Sequence, residues 1–157
     1  MLPAKVLVMR HAEKLADPDD PNLSVPGQAR AAALVAWYPA TFGRPDFIFA
    51  TAISKHSERP IQTVRPLAQN LGIPLNATFS DQDYGALAKL LLSDPKFGGK
   101  SILVCWHHGN IPGLLRGLGA TTGSYPDPWD FTVFDLVLAL DYAGGKPPVV
   151  AEITEPF

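Results

Sequence analysis

Apolar residues along this chain gather in short strand-like stretches, Val6–Met9, Phe47–Ala50, Ile102–Trp106, Val133–Leu140 and Val149–Ile153, the last two each interrupted by one acidic residue. Runs of this length fit strands buried on both faces. Between them lie stretches with helical spacing. Residues 26 to 38 are rich in Ala, Leu and Val, with Ser24 placed as an N-cap; residues 57 to 71 stop at Gly72; residues 83 to 93 carry Leu87, Leu90 and Leu91 at helical intervals. Strand and helix patterns that alternate in this way predict an α/β fold, a three-layer α/β/α sandwich around a mostly parallel sheet. Tyr142-Ala143-Gly144-Gly145-Lys146 reads as a hairpin turn, so at least one late strand is expected to be antiparallel. Pro66 falls inside the second helical pattern, where it removes a hydrogen bond and predicts an irregular start or a bend.

The 157 residues fit one domain covering 1–157, long enough to bury roughly 70% of the unfolded surface. A formal net charge of -2 leaves no basic footprint for nucleic acid or an anionic membrane surface, so neither is expected as a partner, and any anion recognition must be local. No run approaches the roughly 18 apolar residues of a membrane span, and the chain enters Lys5-Val6-Leu7-Val8 without a signal-peptide pattern, which makes cytoplasmic the expectation. Nothing in the pattern specifies an oligomeric state. Cys105, the one cysteine, sits between Val104 and Trp106 and reads as a buried apolar residue. The four histidines lack metal-ligand spacing, so no metal and no other cofactor is expected. Gly99-Lys100-Ser101 looks like the end of a nucleotide-binding loop, but Asp94 holds the first glycine position and a strand follows. Asp17-Pro18-Asp19-Asp20 reads as a solvated loop.

Candidate chemistry gathers at strand ends. Arg10-His11 follows the first apolar run, and His107-His108-Gly109-Asn110 follows the third. In a parallel α/β sheet the carboxyl ends of the strands open into a crevice, where the two segments would meet. A guanidinium supplies a planar fork for an oxyanion, and an imidazole supplies a nucleophile partly neutral at pH 7, a combination suited to phosphoryl transfer. Ser57-Glu58-Arg59-Pro60-Ile61-Gln62-Thr63 offers a second guanidinium at the start of a helix.

Leu7-Val8-Met9-Arg10-His11-Ala12-Glu13, then Leu23-Ser24-x-x-Gly27, Arg59-x-x-Gln62-Thr63 and His108-Gly109-Asn110, in that order, resemble the histidine phosphatase (phosphoglycerate mutase-like) superfamily. The resemblance implies the phosphoglycerate mutase-like fold, with His11 as nucleophile. It also implies that Arg10, Arg59 and His108 hold the phosphoryl oxygens, joined by Asn110 in binding. Within Asp81-Gln82-Asp83-Tyr84-Gly85, Asp81 matches the family's proton donor, with Asp83 and Glu13 as alternatives, and Asp83 also stands where it would cap the next helix. His107 reads as a packing neighbour of the participating histidine, and His56 as a solvated loop residue.

Departures from the family pattern are Ala12 where Gly is usual, Asp81 where Glu is common, and an uncommon spacing from Ala52 to Ser57. The implied activity is a metal-independent phosphatase that hydrolyses a phosphomonoester or a protein phosphoryl group through a phosphohistidine. Its substrate would be a phosphorylated small molecule or a phosphoprotein. A phosphoglycerate mutase-type phosphotransferase and a noncatalytic phospholigand-binding module remain as alternatives. The short chain leaves little room for a lid, which implies an open site. Tyr125 and Trp129 stand where they would either line its entrance or pack.

Overall fold

In the computed structural model, which describes residues 1–157, the first strand, β1 (Lys5–Arg10), is buried at every position after Lys5. Both of its faces are covered, which is why its sequence runs apolar without alternation. On one side it pairs in parallel with β4 (Ser101–Trp106), Arg10 lying opposite Trp106; on the other it pairs with the antiparallel β5 (Leu136–Asp141). β2 (Phe47–Ala50) lies parallel to β4, the two-residue β3 (Leu75–Asn76) lies parallel to β2, and β6 (Val149–Thr154) pairs antiparallel with β5. The sheet order is β3-β2-β4-β1-β5-β6, in which β5 alone opposes the rest.

Alternate residues of the central strands serve two cores. Leu7, Met9, Leu103 and Cys105 pack with Leu34 and Tyr38 of α1 (Val25–Phe42) and with Val64 and Leu67 of α2 (Arg59–Leu71). Val6, Val8, Val104 and Trp106 face the opposite layer, where Leu87 and Leu91 of α3 (Tyr84–Ser93) meet Leu114 and Leu115 of α4 (Ile111–Gly117). Each fully buried side chain of this size contributes about 1.5–3 kcal/mol. The three layers follow from this division.

Local signals place the helix ends. The Ser24 hydroxyl accepts a hydrogen bond from the Gly27 amide at 3.2 Å, and Gly72 ends α2 in the left-handed conformation at φ 68° and ψ 29°. α2 starts at Arg59 with Pro60 in its first turn, where no amide donor is needed, and continues without a break through Pro66. β5 begins at Leu136 instead of Val133, because the Val133 carbonyl is taken by side chains, the Trp129 indole at 3.1 Å and Arg10 at 3.3 Å. Tyr125 and Trp129 are buried in the core and do not line the site described below. No helix is long and apolar enough to cross a membrane.

Candidate active site

The His11 amide donates to the Trp106 carbonyl at 3.2 Å, carrying the β1–β4 pairing one residue past the strand. The His11 ring is therefore set at the carboxyl end of the sheet, and the residue is 2% exposed. Its Nδ1 lies 2.7 Å from the Ala12 carbonyl oxygen. A carbonyl only accepts, so the proton belongs on Nδ1 and the lone pair on Nε2. Burial, with Arg10, His107 and Arg59 adding to it, pushes the imidazole pKa down to about 2, so the ring is neutral across the physiological range. The Ala12 amide donates to the Thr63 hydroxyl at 2.9 Å, and that hydroxyl donates to the Arg59 carbonyl at 2.8 Å, which ties the residue after His11 to the first turn of α2.

Both guanidiniums are held by carbonyls and neither is in an ion pair. Arg10 donates through Nη1 to the carbonyls of Phe131, at 2.6 Å, and Val133, and its guanidinium lies 3.8 Å over the Phe134 ring. Arg59 donates through Nη1 to the Asp20 carbonyl at 2.8 Å. In each the Nε is buried without a partner. Burial and the facing Arg59 lower the Arg10 pKa to about 10, and burial lowers that of Arg59 against the pull of Asp20. Arg10 therefore keeps its charge at neutral pH. Two buried donors left open on fixed cations mark the place of an anion.

Arg10, His11, Arg59, Asp81 and His108 line one cavity of about 460 Å3, together with His107 and Gly109. The His107 ring meets His11 edge-on with centroids 5.4 Å apart. Burial lowers the pKa of both His107 and His108, with Asp81 opposing the shift at each. The Asp81 backbone is fixed by two donors to its carbonyl, the Trp106 indole at 3.2 Å and the Asn110 amide at 3.3 Å, while its Oδ1 is buried and unpartnered. Asn110 itself does not line the cavity; it braces Asp81 from behind.

The other two carboxylates are committed elsewhere. Glu13 pairs with Arg30 at 2.8 Å, and although burial pushes its carboxyl up, the Arg30 hydrogen bond brings it below the ordinary range. The Asp83 carboxylate accepts from the Ser80 hydroxyl at 2.7 Å and makes no side-chain cap for α3. Neither reaches the cavity.

Sequence reasoning missed Lys14, Ser54 and Ser57, which also line the cavity, and passed over His56, which is exposed yet lines it too. The signal for the serines was the turn that departs from the family spacing: the Ser54 hydroxyl accepts from the His56 and Ser57 amides, and the Ser57 hydroxyl from the Arg59 amide. Lys14, Arg10 and Arg59 set three cations against the single carboxylate of Asp81. Gln62 and Thr63, quoted with Arg59 in the same motif, do not line the cavity; Gln62 binds the Leu23 amide at 2.9 Å and the Asn22 side chain at 2.7 Å. Cys105 is fully buried, and burial pushes its thiol up out of reactive range. No group of three His, Cys, Asp or Glu side chains is arranged to hold a metal ion.

No family model matches this sequence, and no curated protein matches it. Solved structures do match the fold. The protein histidine phosphatase SixA in complex with tungstate shares 19% identity at a TM-score of 0.65, over 96% of each chain. A mycobacterial glucosyl-3-phosphoglycerate phosphatase shares 13% at 0.62, over 97% of this chain and 98% of its own. A phosphoserine phosphatase from Entamoeba histolytica, in complex with 3-phosphoglyceric acid, shares 17% at 0.61, over 96% of each chain. The chain has the phosphoglycerate mutase-like fold.

Proposed function

We propose that this protein is a histidine phosphatase that hydrolyses a phosphomonoester or a protein phosphoryl group through a phosphohistidine on His11. The observation that carries the proposal is the convergence of a neutral His11, Nε2 free, with the unpartnered Nε donors of Arg10 and Arg59 in one cavity. Phosphatases of the same fold, one of them binding tungstate, support it.

In the first step the Nε2 lone pair of His11 forms a bond to phosphorus as the ester P–O bond breaks. Asp81, entering as the carboxylic acid, gives its proton to the departing oxygen. Arg10, Arg59 and His108 donate to the three remaining oxygens, whose charge must be held while the phosphoryl group is between partners. In the second step Asp81, now a carboxylate, takes a proton from water. The water oxygen bonds to phosphorus, the P–N bond breaks, and inorganic phosphate leaves with His11 restored. Guanidinium and imidazole donors hold the charge throughout, so the mechanism calls for no metal ion. Asn110 contributes by fixing the Asp81 backbone.

The test is phosphate release from a panel of phosphorylated small molecules and phosphohistidine, phosphoserine and phosphotyrosine peptides, with His11→Ala alongside. Release by the wild type, lost by more than a hundredfold in the variant, is the expected result. Phosphate binding without turnover on any substrate would instead assign a binding module.

A further inference from the structure

No apolar residue lines the cavity around His11, so nothing in it can grip the organic part of an ester. A second cleft of about 420 Å3 adjoins it, walled by the Glu13–Ala16 segment on one side and by Phe131, Thr132 and Phe134 on the other. Lys14 lines both. Arg10 joins them as well, since its guanidinium reaches the phosphate cavity while lying on the Phe134 ring and bonding the Phe131 carbonyl.

Two side chains in this cleft leave apolar surface in water. Phe131 is 72% exposed and Leu15 is 37% exposed, whereas most large apolar residues of the chain are buried. The loop that carries Phe131 is not loose. Its carbonyl is held by Arg10, and the Asp130 carboxylate accepts from the Thr132 amide at 2.9 Å and hydroxyl at 2.7 Å. A ring carried on a fixed backbone can cover an apolar group with only its own two side-chain torsions left to order. The carboxylate of Glu13 is already paired with Arg30, so an apolar group seated beside it leaves no unpaired charge to be stripped of water.

We propose that this cleft takes the organic part of the phosphomonoester and selects an apolar group of aryl size, with Phe131 and Leu15 as the specificity-determining residues. The inference rests on the phosphatase assignment above and deepens it: the preferred substrate class is an aryl or aralkyl phosphate.

The test compares 2-phenylethyl phosphate with ethyl phosphate, whose alcohols leave with similar ease, so that the ratio of their kcat/KM values reports grip on the ring. Wild type should prefer the phenylethyl ester at least tenfold. Phe131→Ser and Leu15→Ser should each lower the ratio about threefold, and the double variant should bring it within twofold of one. A shift of the loop that weakened Arg10 would slow both esters alike and leave the ratio unchanged. Calorimetric binding of the matching phosphonates, which cannot be hydrolysed, is the second measurement and should show the same ratio.

Equal turnover of the two esters overturns the cleft and leaves the phosphatase standing, as does a preference that survives both substitutions. Discrimination between the phosphonates with no phosphate released from any substrate of the panel above keeps the cleft and overturns the phosphatase. Failure to bind either phosphonate overturns the cleft, and overturns the phosphatase as well if no substrate of the panel releases phosphate.

Discussion

The Ala12 carbonyl keeps the His11 proton on Nδ1, and burial keeps the ring neutral, so folding itself prepares the ring for the nucleophilic role proposed for it. Preparation has a cost that depends on pH. An unfolded His titrates near 6.5, while the folded pKa is depressed to about 2, so between these values the unfolded chain binds the extra proton and stability falls as pH falls. From pH 7 to pH 5 the wild type should lose about 2 kcal/mol relative to His11→Asn, whose side chain does not titrate, as read from urea midpoints at each pH. A constant difference between the two proteins would show that His11 protonates normally.

Arg59 has one nitrogen on the Asp20 carbonyl and an Nε left open for the oxyanion, a division that a single ammonium cannot reproduce. Arg59→Lys should therefore lower kcat/KM at least about tenfold, roughly 1.4 kcal/mol. Asp81→Asn should slow alkyl phosphates far more than an activated aryl phosphate, whose oxygen leaves without a proton; equal losses on both would remove Asp81 from that role. The motifs showed Arg10, His11, Arg59 and His108 because each stands beside a strand or helix end that the apolar pattern marks. They favoured Asp81 but left Glu13 and Asp83 open beside it, because what engages those two carboxylates is Arg30 and Ser80, partners that no spacing announces.

Among the elements, α1 starts hard against the segment that follows His11. A Cβ at Gly27 would collide with the Glu13 carbonyl oxygen, the same atom that accepts from the Ser24 amide and hydroxyl. Gly27→Ala should thus push the segment after His11 away from α1, costing about 1–3 kcal/mol of stability in denaturant titrations and lowering turnover with it. Unchanged stability would mean that the helix start yields without strain. The elements that the pattern revealed by burial over several residues of one period are β1, β2 and β4 with α1, α2 and α3, whereas β6 showed through its apolar composition although none of its residues is buried. β3 and α4 escaped because two residues, or seven containing Pro112 and Gly113, are too few to show a period. The late start of β5 escaped because the Val133 carbonyl is taken by two side chains, the Trp129 indole and Arg10, the latter more than a hundred residues away, and no spacing announces either bond.

For the whole molecule, an oxyanion that satisfies the open donors should stabilise the fold as well as inhibit it. At a tungstate concentration about a hundred times Kd the gain is about 2.7 kcal/mol, seen as a rise in Tm, and it should persist in excess chelator. Loss of the effect in chelator, restored by a divalent ion, would require a metal in the site. Arg30 extends the same coupling across the chain: besides Glu13 it pairs at 2.9 Å with Glu155, a buried carboxylate 125 residues downstream. Every side chain of the proposed chemistry has been synthesised once residue 110 leaves the ribosome, yet the carbonyls that hold Arg10 come from residues 131 and 133, and the clamp on the Glu13 segment closes only at residue 155. A nascent chain halted between these points carries the reacting groups without their geometry, so phosphate binding during translation should lag the appearance of the motifs until β5 and β6 have emerged.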